Sequence, residues 1–256
     1  MKTIAVINGK GGIAKTVTTQ AIATLWKNKK KRVLMIDTDP QHNLSFSIKA
    51  ETETKPTLYN LLKGEVKAEN TIQTTHTGDI LPSSLSLGIA EKEFISDIGK
   101  EFLLKEAIAN ISKNYDYIII DCPPNSLSLL TLNAMVTSDY ILIPSVADVF
   151  SLQGIGALHQ TITNIKKYYN NGLEIAGILL TRYNTQTKIS KHIQSTLKDI
   201  TKQLNVRLFN TAIRNSVSIS EAQLKQENLL NYDNDSNAIN DYKKFLKELE
   251  SVINGN

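Results

Sequence analysis

The sequence predicts an α/β protein with a mostly parallel twisted sheet flanked by helices. Short apolar runs of strand length alternate with amphipathic stretches along the whole chain, the pattern of repeated strand–helix units. The first apolar run passes straight into Asn8-Gly9-Lys10-Gly11-Gly12-Ile13-Ala14-Lys15-Thr16-Val17, a glycine-rich segment that opens a helix. Two later apolar segments end in Asp37 and Asp121, at the carboxyl ends of strands where open α/β sheets keep their ligands.

The elements follow in order. Residues 3–7 form the first strand, and the helix over 15–28 starts where the glycine loop stops. Residues 32–36 form a second strand closed by Asp37. A short helix over 57–62 is stopped by Gly64, which takes up the left-handed conformation of a helix end at little cost. Residues 80–82 make a brief strand, and 100–112 a helix. The fully apolar run 117–120 is a buried strand ending at Asp121. Residues 127–136 are helical, 140–143 a strand and 151–169 a long helix. A strand over 175–181 precedes a helix over 188–204, a strand over 206–209 and a closing helix over 239–253. There is no internal repeat, low-complexity tract or Pro/Gly-rich linker, so residues 1–256 are expected to form one domain.

Composition narrows the function classes. The 256 residues are 41% hydrophobic and 21% charged, enough for one large core. A formal charge of +4 and a pI near 8.9 permit nucleic acid as a partner without demanding it. The single cysteine, Cys122, excludes a disulfide framework and a cysteine-ligated zinc or iron–sulfur site within one chain, and fits a reducing cytosol. His42, His76, His159 and His192 show no metal spacing. No apolar run reaches membrane-spanning length, and Met1 leads directly into the first strand, so neither a signal peptide nor a preceding DNA-reading domain is expected.

The glycine loop is built to hold a triphosphate. Adjacent glycines let backbone N–H groups turn inward around phosphate oxygens, and the helix that follows points its positive end at the anion. Lys15 would reach the β- and γ-phosphates, and the Thr16 hydroxyl would ligate Mg²⁺. Gly11, Gly12, Ile13, Ala14 and Val17 complete the expected cradle. Lys10 precedes the double glycine and cannot easily fold back onto its own phosphates, which makes it available to a second nucleotide site across a dimer. Ala14 stands where glycine usually precedes the lysine; if that position needs positive φ, alanine costs about 1 kcal/mol. Asp121 would hold a water of the Mg²⁺ shell.

The pattern Lys-Gly-Gly-x-x-Lys-Thr resembles the deviant Walker A box of the ParA/MinD superfamily of P-loop ATPases. Asp37-Thr38-Asp39-Pro40-Gln41 resembles the ParA-family box whose first aspartate positions the attacking water. Leu58-x-x-Leu61-Leu62-x-Gly64, Asp79-Ile80-Leu81-Pro82-Ser83, Asp121-Cys122-Pro123-Pro124 and Ser220-Glu221-Ala222 follow in family order, closest to the small ParA type without an N-terminal helix-turn-helix domain. The resemblance implies ATP and Mg²⁺ as cofactors, with Lys10 and Asp37 catalytic and Asp39 in the switch loop or the Mg²⁺ shell. It places Arg214 and Ser216 beside the adenine, although the loop departs from the usual Ile-Pro-Arg-Asn.

The same resemblance implies an ATP-bound homodimer that holds double-stranded DNA non-specifically and a ParB-like centromere-binding partner that speeds hydrolysis. The protein would be cytoplasmic, and nucleoid-associated when ATP-bound. Phosphate neutralisation needs only positive charge on one face; the candidates are Lys188, Lys191, Lys198 and Lys202 along one helix, with Arg207 and Arg214 nearby. Asp148 and Phe150 follow a strand end and are expected near the dimer face. A MinD-like membrane role is the first alternative, and a weakly hydrolysing nucleotide-gated scaffold the second. Against the membrane, the closing helix mixes Lys243, Lys244 and Lys247 with Glu248 and Glu250, so its apolar face is expected to dock on the domain.

Overall fold

In the computed structural model, residues 1–184 and 186–255 are described, except for the side chains of 149–153, 188, 189 and 191. Among them, seven strands form one sheet: β1 (Lys2–Val6), β2 (Val33–Asp37), β3 (Gln73–Thr74), β4 (Asp79–Leu81), β5 (Tyr117–Asp121), β6 (Tyr140–Val146) and β7 (Glu174–Thr181). Their order is β3-β4-β2-β5-β1-β6-β7, and every neighbouring pair is parallel except β3 with β4. The helices are α1 (Lys15–Asn28), α2 (Asn43–Ser47), α3 (Leu58–Leu62), α4 (Ala68–Thr71), α5 (Leu87–Glu93) and α6 (Leu103–Ala107). They continue as α7 (Leu129–Thr137), α8 (Val149–Tyr168), α9 (Lys188–Gln203), α10 (Val217–Leu224), α11 (Leu229–Asp233) and α12 (Asn237–Asn254).

Strand alternation decides which helices cover which face. In β1, Ile4 and Val6 join the core under α1, α2, α10, α11 and α12, while Ala5 and the following Ile7 join the core under α3 to α9. Trp26 of α1 stacks on Tyr117 of β5 with ring centroids 4.0 Å apart, fixing the loop-to-helix unit on the sheet centre. The closing helix docks as expected: Tyr242, Phe245, Leu246, Leu249 and Ile253 of α12 are buried, and the Tyr242 hydroxyl lies 3.0 Å from that of Thr18. Among the described residues, no helix is long and apolar enough to cross a membrane.

Two expected elements differ. The helix over 100–112 shortens to α6; at its start the Asn133 side chain inserts into the ladder, accepting from the Leu104 N–H at 2.9 Å and donating to the Lys100 carbonyl at 2.8 Å. The strand over 206–209 is reduced to one bridge between Ile178 and Leu208. Past it, the Asn210 and Thr211 N–H groups donate to the Glu248 carboxylate of α12, at 2.8 and 3.0 Å, instead of continuing along β7. The short elements α2, α4, α5, α10, α11 and β3 join the expected set.

The register brings the chemistry together. Asp121 at the end of central β5 pairs with Val6 of β1 on one side and with Asp37 of β2 on the other. Both carboxylates and the glycine loop therefore meet at the carboxyl edge of the sheet.

Candidate nucleotide site

The loop between β1 and α1 is pinned at both ends. The Asn8 amide donates to the Pro144 carbonyl at 2.8 Å, while its oxygen accepts from the Lys10 N–H at 3.0 Å. On the far side, the Thr181 hydroxyl donates to the Ile13 carbonyl at 2.9 Å and Arg182 donates to the Gly12 carbonyl at 2.8 Å. Gly12 and Ala14 both adopt left-handed backbone, with φ of +70° and +67°. Position 14 does require positive φ, so alanine carries the strain anticipated for it.

Lys15 is buried, and its ammonium donates to the carbonyls of Lys10 and Asn8 at 2.9 and 3.1 Å, crossing the mouth of the loop. Burial lowers its pKa, and the nearby Asp121 opposes that shift. The Thr16 hydroxyl donates to Asp121 at 2.7 Å. Asp121 is held well above the usual carboxylate range, first by burial and then by the charge of Asp37.

Asp37 is fully buried, and burial also raises its pKa. One of its oxygens accepts from the Asp39 N–H at 3.1 Å; the other accepts from the Ser45 N–H at 2.9 Å and the Ser45 hydroxyl at 2.7 Å. Asp39 caps the turn beyond, accepting from the Gln41 N–H at 2.9 Å. Cys122 is a buried residue whose thiol pKa is raised by the same desolvation, which suits packing and not reactivity.

A cavity of about 640 Å³ opens from the loop, a size suited to a small ligand. Residues 11–17 and Asp39 form its floor, and Ile213, Arg214, Asn215 and Ser216 form a wall. The loop expected at the adenine thus lines the same cavity as the glycine loop. The wall also contains Phe46, Arg182, Ile219 and Gln223, which the sequence reading did not single out. Arg182 was within reach of the strand-end rule, since it directly follows Thr181, the last residue of β7. Ile219 and Gln223 come from α10 and flank the family segment Ser220-Glu221-Ala222, where no helix was expected.

A family model described as an AAA domain matches residues 1–175. The chain is 33% identical over 251 residues to the sporulation initiation inhibitor protein Soj of Bacillus subtilis, covering 97% of this chain and 98% of that protein. It is 32% identical over 250 residues to the chromosome-partitioning ATPase Soj of Treponema pallidum, covering 97% and 96%. The chain belongs to the ParA family of partition ATPases. The fold agrees with solved relatives. A cobyrinic acid a,c-diamide synthase from Mycobacterium smegmatis, with bound ATP analogue and magnesium, superposes with a TM-score of 0.85 at 28% identity, covering 100% of this chain and 97% of that one.

The site residues expected of a ParA-family ATPase occupy distinct settings. Lys10 leaves the loop and forms an ion pair with Asp148, just beyond β6, while Lys15 stays inside. Ser216 sits at the start of α10, its hydroxyl 2.9 Å from that of Ser218. The Arg214 guanidinium is engaged by Asp241 of α12, with two contacts of 2.8 Å, so it borders the cavity as one half of an ion pair. Of the DNA candidates, Lys198, Lys202 and Arg207 are exposed, and the side chains of Lys188 and Lys191 lie outside the described residues, as does that of Phe150. Beside Arg214, the lysines Lys243, Lys244 and Lys247 line a second, basic groove with Asn237 and Asn240.

Proposed function

We propose that this partition ATPase closes into an ATP-sandwich homodimer that holds DNA non-specifically and releases it on hydrolysis, with a ParB-like centromere-binding protein as stimulating partner. The observation that carries the reading is the division of labour between two lysines on one loop. Lys15 crosses the loop's own mouth, whereas Lys10 is held outside it by Asp148.

ATP would lie in the cavity with its triphosphate along the N–H groups of residues 11–17 and its base toward Ile213–Ser216. The donor set fits Mg²⁺: the Thr16 hydroxyl is a hard oxygen ligand, and the Asp121 carboxylate 2.7 Å from it would hold a water of the ion's shell. When bound, Mg²⁺ offsets charge on the transferring phosphoryl group.

Asp37 orients a water whose oxygen bonds to the γ-phosphorus as the bond to the bridging oxygen breaks, releasing ADP and phosphate. Lys15 stabilises charge from its own subunit. Lys10 exchanges Asp148 for the partner's nucleotide, so closing the dimer opens one ion pair and forms another across the interface. DNA phosphates are met by exposed cations, including Lys198, Lys202 and Arg207 and the groove lined by Lys243, Lys244 and Lys247.

Asp37→Ala tests the reading. It should keep ATP affinity within about threefold and lose turnover by at least about a hundredfold, because only water orientation is removed. An ATP-bound dimer should therefore accumulate, visible by light scattering. Normal hydrolysis, or a mutant that stays monomeric with ATP, contradicts the assignment.

A further inference from the structure

We infer that Ser45 is a positioning residue that holds the Asp37 carboxylate in its water-orienting pose, and that Ser83 fixes the direction in which Ser45 donates. This rests on the reading of Asp37 just given. Asp37, Ser45 and Ser83 are all fully buried, so no solvent can substitute for a lost partner.

The geometry determines the direction of each hydrogen. The Ser83 N–H donates to the Ser45 hydroxyl oxygen at 3.0 Å. That oxygen is therefore an acceptor toward Ser83, and its own proton is directed at Asp37, 2.7 Å away. The Ser45 N–H donates to the same Asp37 oxygen at 2.9 Å, so one carboxylate oxygen is saturated by a single residue. The other oxygen accepts one N–H, from Asp39 at 3.1 Å. An ionised carboxylate offers about four lone-pair sites, and three are filled here. The remaining site is on the oxygen Ser45 does not touch, so that oxygen alone is left to accept from a water brought in with the nucleotide. The Ser83 hydroxyl, 2.7 Å from the Asp39 carbonyl, ties the loop to the same anchor just after β4. The backbone just after β4 thereby sets the Asp37 carboxylate through two hydrogen bonds, Ser83 N–H to Ser45 hydroxyl and Ser45 hydroxyl to Asp37.

The measurement is steady-state Mg-ATP hydrolysis with non-specific duplex DNA present, alongside equilibrium ATP binding, on Ser45→Ala, Ser45→Thr and Asp37→Ala. Ser45→Ala should lower kcat about tenfold or more, the rate equivalent of one hydrogen bond to a charged group. Its KM and ATP affinity should stay within about twofold of wild type, and Ser45→Thr, which restores the hydroxyl, should recover most of the rate. If Ser45→Ala does not fold, Ser45→Cys replaces it, keeping a similar volume with a weaker donor and an intermediate kcat expected. Wild-type kcat in Ser45→Ala while Asp37→Ala is inactive would overturn the positioning role alone. Equal losses in ATP affinity and kcat, or no recovery in a folded Ser45→Thr, would make Ser45 structural and also overturn it. Full activity in Asp37→Ala would show instead that the reading beneath it fails.

Discussion

Ala14 is the residue whose backbone conflicts most directly with its side chain. At φ +67° the Cβ crowds the following carbonyl, a cost of about 1–2 kcal/mol that glycine avoids. Part of that gain is offset by the larger freedom of glycine in the unfolded chain. Ala14→Gly should therefore raise unfolding stability by about 1 kcal/mol in urea titrations, with ATP affinity retained. Lower stability would mean that the Ala14 methyl supplies packing that outweighs the strain. Much at this scale was legible in the sequence, because Lys15, Thr16 and Ala14 sit in one short motif and Asp37 and Asp121 end apolar runs. The partners of these residues were not legible. Lys10 meets Asp148, and Thr16 meets Asp121, only after β1, β5 and β6 have aligned, and nothing local encodes that alignment.

Among the elements, β7 carries the sharpest constraint. Its pairing with β6 shifts register between Ile141 and Leu142, so the strand bulges just before Gly177. Gly177 has φ +150°, and a Cβ there would lie 2.8 Å from the Phe209 ring and 2.9 Å from the Arg207 carbonyl. Only glycine lets the 207–209 segment approach closely enough for the Ile178 N–H to donate to Arg207 and the Phe209 N–H to donate to Ile178. Gly177→Ala should cost about 3 kcal/mol, combining a disfavoured backbone region with overpacking. A melting temperature unchanged from wild type would contradict this. The main strands and long helices follow from periodicity and length. Where the expectation failed, a side chain from another element had taken over backbone groups: Asn133 in the helix over 100–112, and Glu248 beyond residue 209.

At the scale of the whole molecule, the sheet collects its chemistry along one edge, while α12 covers the face that carries α1 with Tyr242, Phe245 and Leu249. The helix that could have sought a membrane is spent on the core. The cations that reach outward include Lys198 and Lys202 of α9 and Lys244 and Lys247 of α12. On the proposed function, one subunit cannot complete the phosphate site and Lys10 completes the partner's. The direct test is Lys10→Ala followed through three readouts: ATP binding, mass in solution with ATP, and affinity for non-specific duplex DNA across a salt series. ATP affinity should stay near wild type, because Lys15 and the loop N–H groups remain, while the dimer is lost. DNA affinity and the slope of its logarithm against log salt should then both fall, since a single subunit displaces fewer counterions than two. A Lys10→Ala protein that still dimerises with ATP and binds DNA with the wild-type salt slope would show that Lys10 does not act across the dimer.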